Sequence, residues 1–462
     1  MTNDLNKLHE MPIWKSVLSN SIPAMIAMIM MLIYNMADLF FVGQTGDTLQ
    51  VSAVSLATPV FLFFMSIGNI FGIGGTSVIS RYFGSQETER AKVVSSFFLW
   101  ATIVVGTVVS GLVYLNTDSI MGILGASEEV SDLVANYLQI ICISGPFIMI
   151  SACLSNLIRA EGKAKNAMMG MMLGNIINII LDPIFILGFD LGVTGAAIAT
   201  VIGNISGGVY FLYQIFKGKS ILSGSIKYFA LDSYIIKNVL LIGIPASLSS
   251  ILMSLSQVVL NSQMASYGDL AVAGLGVASK VSMMTGILFI GLGQGIQPLF
   301  GYSIGAKDEK RYTGILKFSC LLAFSLSALI TAFCYMNLEN IVGSFLENGQ
   351  AFDYAYSFSK TWLTTAVLFG VFNVLLNALQ AAGAAKSSLL INLSRQGLIF
   401  IPMVYLLGEK YGKQGLILAQ PVADICSFVM VIVLYVIASK TLFETSDTVT
   451  DVKTKPLKEN LA

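Results

Sequence analysis

RYFGSQETERA at residues 81–91 is matched by YSIGAKDEKRY at 302–312, which sets Gly84 opposite Gly305 at an offset of 221. The offset recurs farther along, where RAEGKAKNAM (159–168) pairs with QAAGAAKSSL (380–389) and Gly162 falls opposite Gly383. Pro23 and Pro245 are offset by 222, and Gly192 and Gly195 match Gly412 and Gly415 at 220. Self-similarity that keeps one offset and one order is the mark of a duplicated structural unit. The chain therefore reads as two halves of one design.

Each half is too apolar for a water-soluble domain. Hydrophobic residues make up 55% of the 462 and charged residues 11%, against about 25% charged in an ordinary soluble protein. Apolar runs approach or exceed the ~20 residues that cross a hydrocarbon core as a helix. Read between polar breaks, they predict helices near 16–42, 51–80, 92–116, 132–158, 165–188, 192–216, 235–262, 271–300, 312–336, 355–381, 386–408 and 414–438. The expected fold class is all-α integral membrane, with twelve transmembrane helices in two six-helix lobes. Because six is even, the second lobe enters from the same side as the first, giving a parallel repeat about an axis along the membrane normal. The expected organisation is an N-terminal tail 1–15, an N-lobe 16–216, a connector 217–234, a C-lobe 235–438 and a C-terminal tail 439–462.

Charge placement predicts orientation, because cytoplasmic loops carry an excess of Lys and Arg. One set of loops holds Lys7, Lys15, Arg81, Arg90, Lys92, Arg159, Lys163, Lys165, Lys217, Lys219 and Lys227. Its later members carry Lys307, Lys310, Arg311, Lys386, Lys440, Lys453, Lys455 and Lys458. The opposite loops, near 43–50, 117–131, 189–191, 263–270 and 337–354, contain no Lys or Arg, and Lys410 and Lys413 alone break the pattern. Both termini are expected in the cytoplasm. A formal net charge of zero gives no reason to expect a nucleic-acid partner. The polar start MTNDLNKLHEMPIWK has no A-x-A-like cleavage site, so the first helix is expected to be retained. The five cysteines lie in apolar stretches without paired spacing, and the one histidine, His9, lies in the tail. A His-ligated metal centre is therefore not expected.

An ionisable side chain deep in a membrane helix costs ~2.5–3.5 kcal/mol on insertion scales, which makes each one a functional candidate. Asp38, Asp182, Lys280, Arg395 and Asp424 qualify. Asn175 and Asn178 precede Asp182 by two turns and one, so all three share a helix face. Tyr34 and Asn35 stand one turn before Asp38, and Thr200 and Asn204 pair at i, i+4. At the repeat-related positions the second half has Leu260, Pro402 and Gln420 for Asp38, Asp182 and Thr200. The scaffold is duplicated but its acids are not. Such a cluster has two physical uses: low dielectric disfavours a charged carboxylate, which can then load and release a proton, or the oxygens can replace the water shell of Na⁺. The bland reading is that the acids hydrogen-bond neighbours and fix register. For Asp424 that reading is a packing pair with a cation such as Lys280. Arg395 is expected to snorkel toward the cytoplasmic side, and Lys280 to reach the outer interface. The clusters FGIGG (71–75) and GLGQG (291–295) lack a following Lys-Ser/Thr and are expected to serve close helix packing rather than phosphate binding. The 21 methionines suit an adaptable apolar cavity.

YNMADLFFVGQTG (34–46), the RAEGKAKNAM loop and NIINIILDPIFILGFDLGVTGAAIAT (175–200) together resemble the multidrug and toxic compound extrusion (MATE) family over about residues 12–440. The resemblance implies two lobes set in a V that opens alternately to either side, and a monomer in the cell membrane. It also implies that Asp38, Asn178, Asp182 and Thr200 bind Na⁺ or H⁺, and that Tyr137 lines the same lobe. The seventh, eighth and tenth helices lack acids in their middles, which points to the branch resembling the DNA-damage-inducible drug exporters. The expected activity is antiport of cationic or amphipathic organic compounds against Na⁺ or H⁺, with no cofactor. Its rivals are a lipid-linked oligosaccharide flippase of the same superfamily, for which a more cationic cavity is expected, and a membrane-embedded aspartyl enzyme using Asp38 and Asp182.

Overall fold

The computed structural model describes residues 9–124, 128–217, 220–347, 349–440 and 442–443. Lys7, Lys219, Lys453, Lys455, Lys458 and most of the expected C-terminal tail lie outside the described residues. Long helices run Ile13–Gly43 (α1), Thr48–Gly84 (α2), Thr88–Leu115 (α3), Glu128–Ala160 (α4), Ala164–Gly188 (α5) and Gly192–Phe216 (α6). The second half repeats them as Ser233–Ala265 (α7), Asp269–Gly305 (α8), Glu309–Met336 (α9) and Gln350–Ala381 (α10). A final helical stretch, Ala385–Ser439, has 55 residues, which at 1.5 Å each would reach roughly 80 Å, far beyond a ~30 Å hydrocarbon core. It is broken at Gly412, where φ is 59° and ψ is −140°. A β-carbon on Gly408 would collide with Leu416, and one on Gly415 with the Leu407 carbonyl, so the chain doubles back there. The stretch is two helices, 385–411 (α11) and 413–439 (α12), which brings the long apolar helices among the described residues to the expected twelve.

The duplication is visible in the backbone. Thr48–Gly84 and Asp269–Gly305 are both 37 residues long, and Thr88–Leu115 and Glu309–Met336 are both 28. Left-handed backbone recurs at Gly46 and Gly268, Gln86 and Lys307, Gly162 and Gly383, and Gly192 and Gly412. Every one of these pairs keeps the offset found in the sequence to within one position of 221.

Among the described residues the chain forms two compact units, one spanning Ile26–Ser247 and the other joining Met11–Met25 to the helices that follow Leu248. The unit boundaries therefore fall inside helices, not in the loops where the expected lobes 16–216 and 235–438 begin and end. The N-terminal turns of α1 are built into the second unit and those of α7 into the first, each changing unit just past its proline. Glycines make the exchange close. In the first unit a β-carbon on Gly243 would overlap the Ile70 backbone, and one on Gly74 the Val239 carbonyl. In the second, Gly291 meets the backbone of Ala24 and Met25, and Gly295 that of Asn20 and Ser21. The glycine clusters 71–75 and 291–295 thus serve helix packing, as expected, because only a missing side chain lets two backbones approach this closely.

The connector is fastened to the first unit. Glu161, buried in the turn between α4 and α5, accepts a hydrogen bond from the Ser220 hydroxyl at 2.8 Å, another from the Ile221 N–H, and pairs with Lys163 at 2.7 Å. From α3, the Ser96 hydroxyl donates to the Ser225 carbonyl at 2.8 Å and the Trp100 indole to that of Gly224 at 3.1 Å. The repeat-related residue is Ala382, so this anchor is not duplicated. Glu161→Ala is expected to destabilise the protein by about 1–3 kcal/mol by stranding buried donors. Trypsin should then cut at Lys227 much faster than in the wild type; an unchanged cleavage rate would show that Glu161 does not hold the connector.

Candidate cation site in the first unit

Four helices of the first unit bring the predicted acids together. Asp38 comes from α1 and is 7% exposed, while Asp182 comes from α5 and is fully buried at 0%. They lie on the first and fifth helices, yet are close enough to interact electrostatically. Asn178, one turn before Asp182, donates from its amide to the Thr200 hydroxyl of α6 at 3.2 Å. Tyr34 of α1 and Tyr137 of α4, both buried, face Thr200 and lie within electrostatic range of both acids. Pro183 follows Asp182 directly, and a π turn, Ile184–Gly188, ends α5 there. Proline carries no N–H, so the regular ladder cannot run through this point.

Acceptors outnumber donors in this cluster. Both oxygens of Asp182, Oδ1 of Asp38 and Oδ1 of Asn178 are buried without a hydrogen-bond partner. A stranded buried polar group costs about 1–3 kcal/mol, and more when charged, so four together form a cage suited to a proton or a small hard cation. The other predicted members behave differently. Asn35 donates to the Met31 carbonyl of its own helix at 2.9 Å, and Asn204 to the Thr200 carbonyl at 2.9 Å. Asn175 is half-buried on α5. Nothing in the spacing linked Tyr137 to this group; that link came with the resemblance alone. Among the described residues no group of three or more His, Cys, Asp or Glu could hold a metal ion.

The second unit corrects the expected pairing of Asp424. Its partner is Arg395, 2.9 Å away, not Lys280. The Arg395 side chain is turned to Asp424 and remains 20% exposed. Lys280 is exposed on the surface of the unit and lies 5.4 Å from the centre of the Phe345 ring. A guanidinium presents a planar fork of donors that an ammonium cannot, and α11 carries it to α12, which follows directly in sequence. Thr365 and Gln420 also donate to Asp424, at 3.3 and 3.0 Å, and neither stood out in the sequence as a partner for it.

Many transporters are duplicated helical bundles that keep ionisable groups at membrane depth, and comparison with known proteins defines the class of this chain. The MatE family model matches residues 23–184 and again 245–406. The chain belongs to the MATE family, and its two matched segments begin at the repeat-related prolines, Pro23 and Pro245. The multidrug export protein MepA of Staphylococcus aureus is 31% identical over 438 residues, covering 94% of this chain and 96% of that protein. The Staphylococcus saprophyticus protein of the same name is 29% identical over 429 residues, covering 93% and 95%. A crystal structure of MATE in the bent conformation superposes with a TM-score of 0.89 at 24% identity, over 96% of this chain and 98% of that one. An outward-facing multidrug resistance MATE transporter of the MOP superfamily also reaches 0.89 at 24% identity, over 94% and 98%. The chain is a multi-pass membrane transporter of this fold.

Proposed function

We propose that the protein exports cationic or amphipathic organic compounds across the cytoplasmic membrane in exchange for Na⁺ or H⁺. The observation that carries this reading is the cage of Asp38, Asn178 and Asp182, whose buried acceptor oxygens have no donors. A cation or proton bound there removes the cost of stranding them, and so favours whichever conformation keeps the cage closed. A ligand shifts a conformational equilibrium only by its differential affinity for the two states. Cation and drug must therefore favour opposite states, and the exchange is reciprocal. The name multidrug export protein borne by the staphylococcal relatives supports organic substrates. The Lys- and Arg-rich loops support an orientation with both termini in the cytoplasm.

Efflux of ethidium from proteoliposomes under an imposed Na⁺ gradient, an imposed pH gradient, or neither tests the reading. Efflux driven by one gradient and absent without it is the expected result, and it names the ion. Equal efflux in all three conditions would overturn coupling, and none in any would bring lipid-linked oligosaccharide flipping forward.

A further inference from the structure

Asp424 lies in the second unit one helical turn beyond the counterpart of the cage's neighbour Thr200: Gln420 and Asp424 of α12 are related by the repeat to Thr200 and Asn204 of α6. The two places are filled differently. Around Asp182 the carboxylate oxygens lack partners. Around Asp424 the carboxylate is held by Thr365 and Gln420, and the facing charge is supplied by the protein itself. Arg395 donates from Nε at 2.9 Å, and its guanidinium lies 4.4 Å from the centre of the Phe369 ring and 5.5 Å from that of Phe372. A flat, delocalised cation thus rests on an aromatic face with a carboxylate at its edge, which is the arrangement that recognises planar organic cations.

Two further observations show that the pair is not sealed. The Arg395 side chain is 20% exposed and that of Asp424 17%, whereas Asp182 is fully buried. Arg395 also lies on a π turn, Ser394–Leu398, whose Gln396 carbonyl is taken up by the Ser256 hydroxyl of α7. Such turns interrupt a helix locally and recur at functional sites. The side chain that would have to move therefore stands on the least regular turn of α11.

We propose that Arg395 is a tethered competitor: its guanidinium occupies the place between Asp424 and the Phe369 ring that a planar cationic substrate takes by displacing it. Arg395 then sets how strongly the second unit holds such a substrate. A partly buried carboxylate at membrane depth is destabilised when stripped of its partner, so Asp424 releases Arg395 to another cation, and a neutral aromatic compound cannot make the exchange. The inference rests on the export of cationic organic compounds proposed above.

Binding of ethidium and of neutral Nile red to the purified full chain, followed by fluorescence titration, tests it. Arg395→Met is expected to tighten ethidium binding at least about ten-fold, equivalent to about 1.4 kcal/mol, and to leave Nile red within about two-fold. Adding Asp424→Asn to Arg395→Met should abolish the gain, and Arg395→Lys, which keeps the charge, should not produce it. Ethidium binding unchanged by Arg395→Met, or equal shifts for the two dyes, would overturn the competitor role and leave the export reading standing. Absence of ethidium binding in the wild type and in every variant would overturn both. If Arg395→Met does not fold, Asp424→Asn alone carries the test: weaker ethidium binding with unchanged Nile red is expected, and no change in either refutes the proposal.

Discussion

Asp182→Asn is expected to lower gradient-driven efflux by about 100-fold or more, the loss of roughly 3 kcal/mol of coupling, while the protein stays folded. Asparagine keeps the volume of the side chain but can neither carry a transferable proton nor present a full negative charge to Na⁺. Asp38→Asn should have the same effect, since its Oδ1 is also buried without a donor. Thr200→Ala removes one oxygen and the acceptor for the Asn178 amide, so a smaller loss, on the order of ten-fold, is expected. Asp118→Asn, at an exposed position on the short helix Thr117–Leu124, should behave as wild type.

Stability separates this account from a structural role for the acids. A ligand that binds the native state raises its melting temperature by mass action, so the coupling ion should stabilise the wild type and not Asp182→Asn. In the absence of that ion the variant should be at least as stable as the wild type, because an uncompensated buried charge has been removed. Strong destabilisation of Asp182→Asn under all conditions, with efflux lost only in proportion to folded protein, would instead make Asp182 a packing residue.

Gly243→Leu is expected to cost about 3 kcal/mol or more and to leave little folded protein, at the severe end of what overpacking does in a rigid core. The new side chain would have to enter the Ile70 backbone on α2, where no rotamer change can make room. Gly295→Leu should fail in the same way against Asn20 and Ser21 of α1. Gly276→Leu and Gly111→Leu have nothing within 4 Å of the new β-carbon and should fall within roughly 0.5 kcal/mol of wild type. Thermal melting and gel filtration of the four variants distinguish these outcomes. Equal tolerance in all four would mean that the exchanged ends of α1 and α7 do not pack as tightly as the backbone positions require.

The number of helices, their order and the duplication were all legible in the linear chain. They follow from local physics: a membrane helix satisfies its own backbone hydrogen bonds, so its existence depends on a run of apolar residues and not on distant partners. The offset joining Gly162 to Gly383 and Gly192 to Gly412 was legible for a similar reason, because left-handed backbone at a turn favours glycine wherever it occurs. One face of the candidate site was legible as well, since Asn175, Asn178 and Asp182 are ordered by the helical period alone.

Which residues from different helices meet was settled by folding. Packing brought Asp38 of α1 to Asp182 of α5, set Tyr34 and Tyr137 beside Thr200, and gave Asp424 to Arg395 instead of Lys280. It also placed the first turns of α1 and α7 in opposite units, although Pro23 and Pro245 both lie inside helices that run on unbroken past them. Side chains on separate helices meet according to how the helices pack, and in a membrane that packing is governed by close approach at glycines and by pairing of buried polar groups rather than by hydrophobicity. A linear pattern of apolar residues carries no record of either.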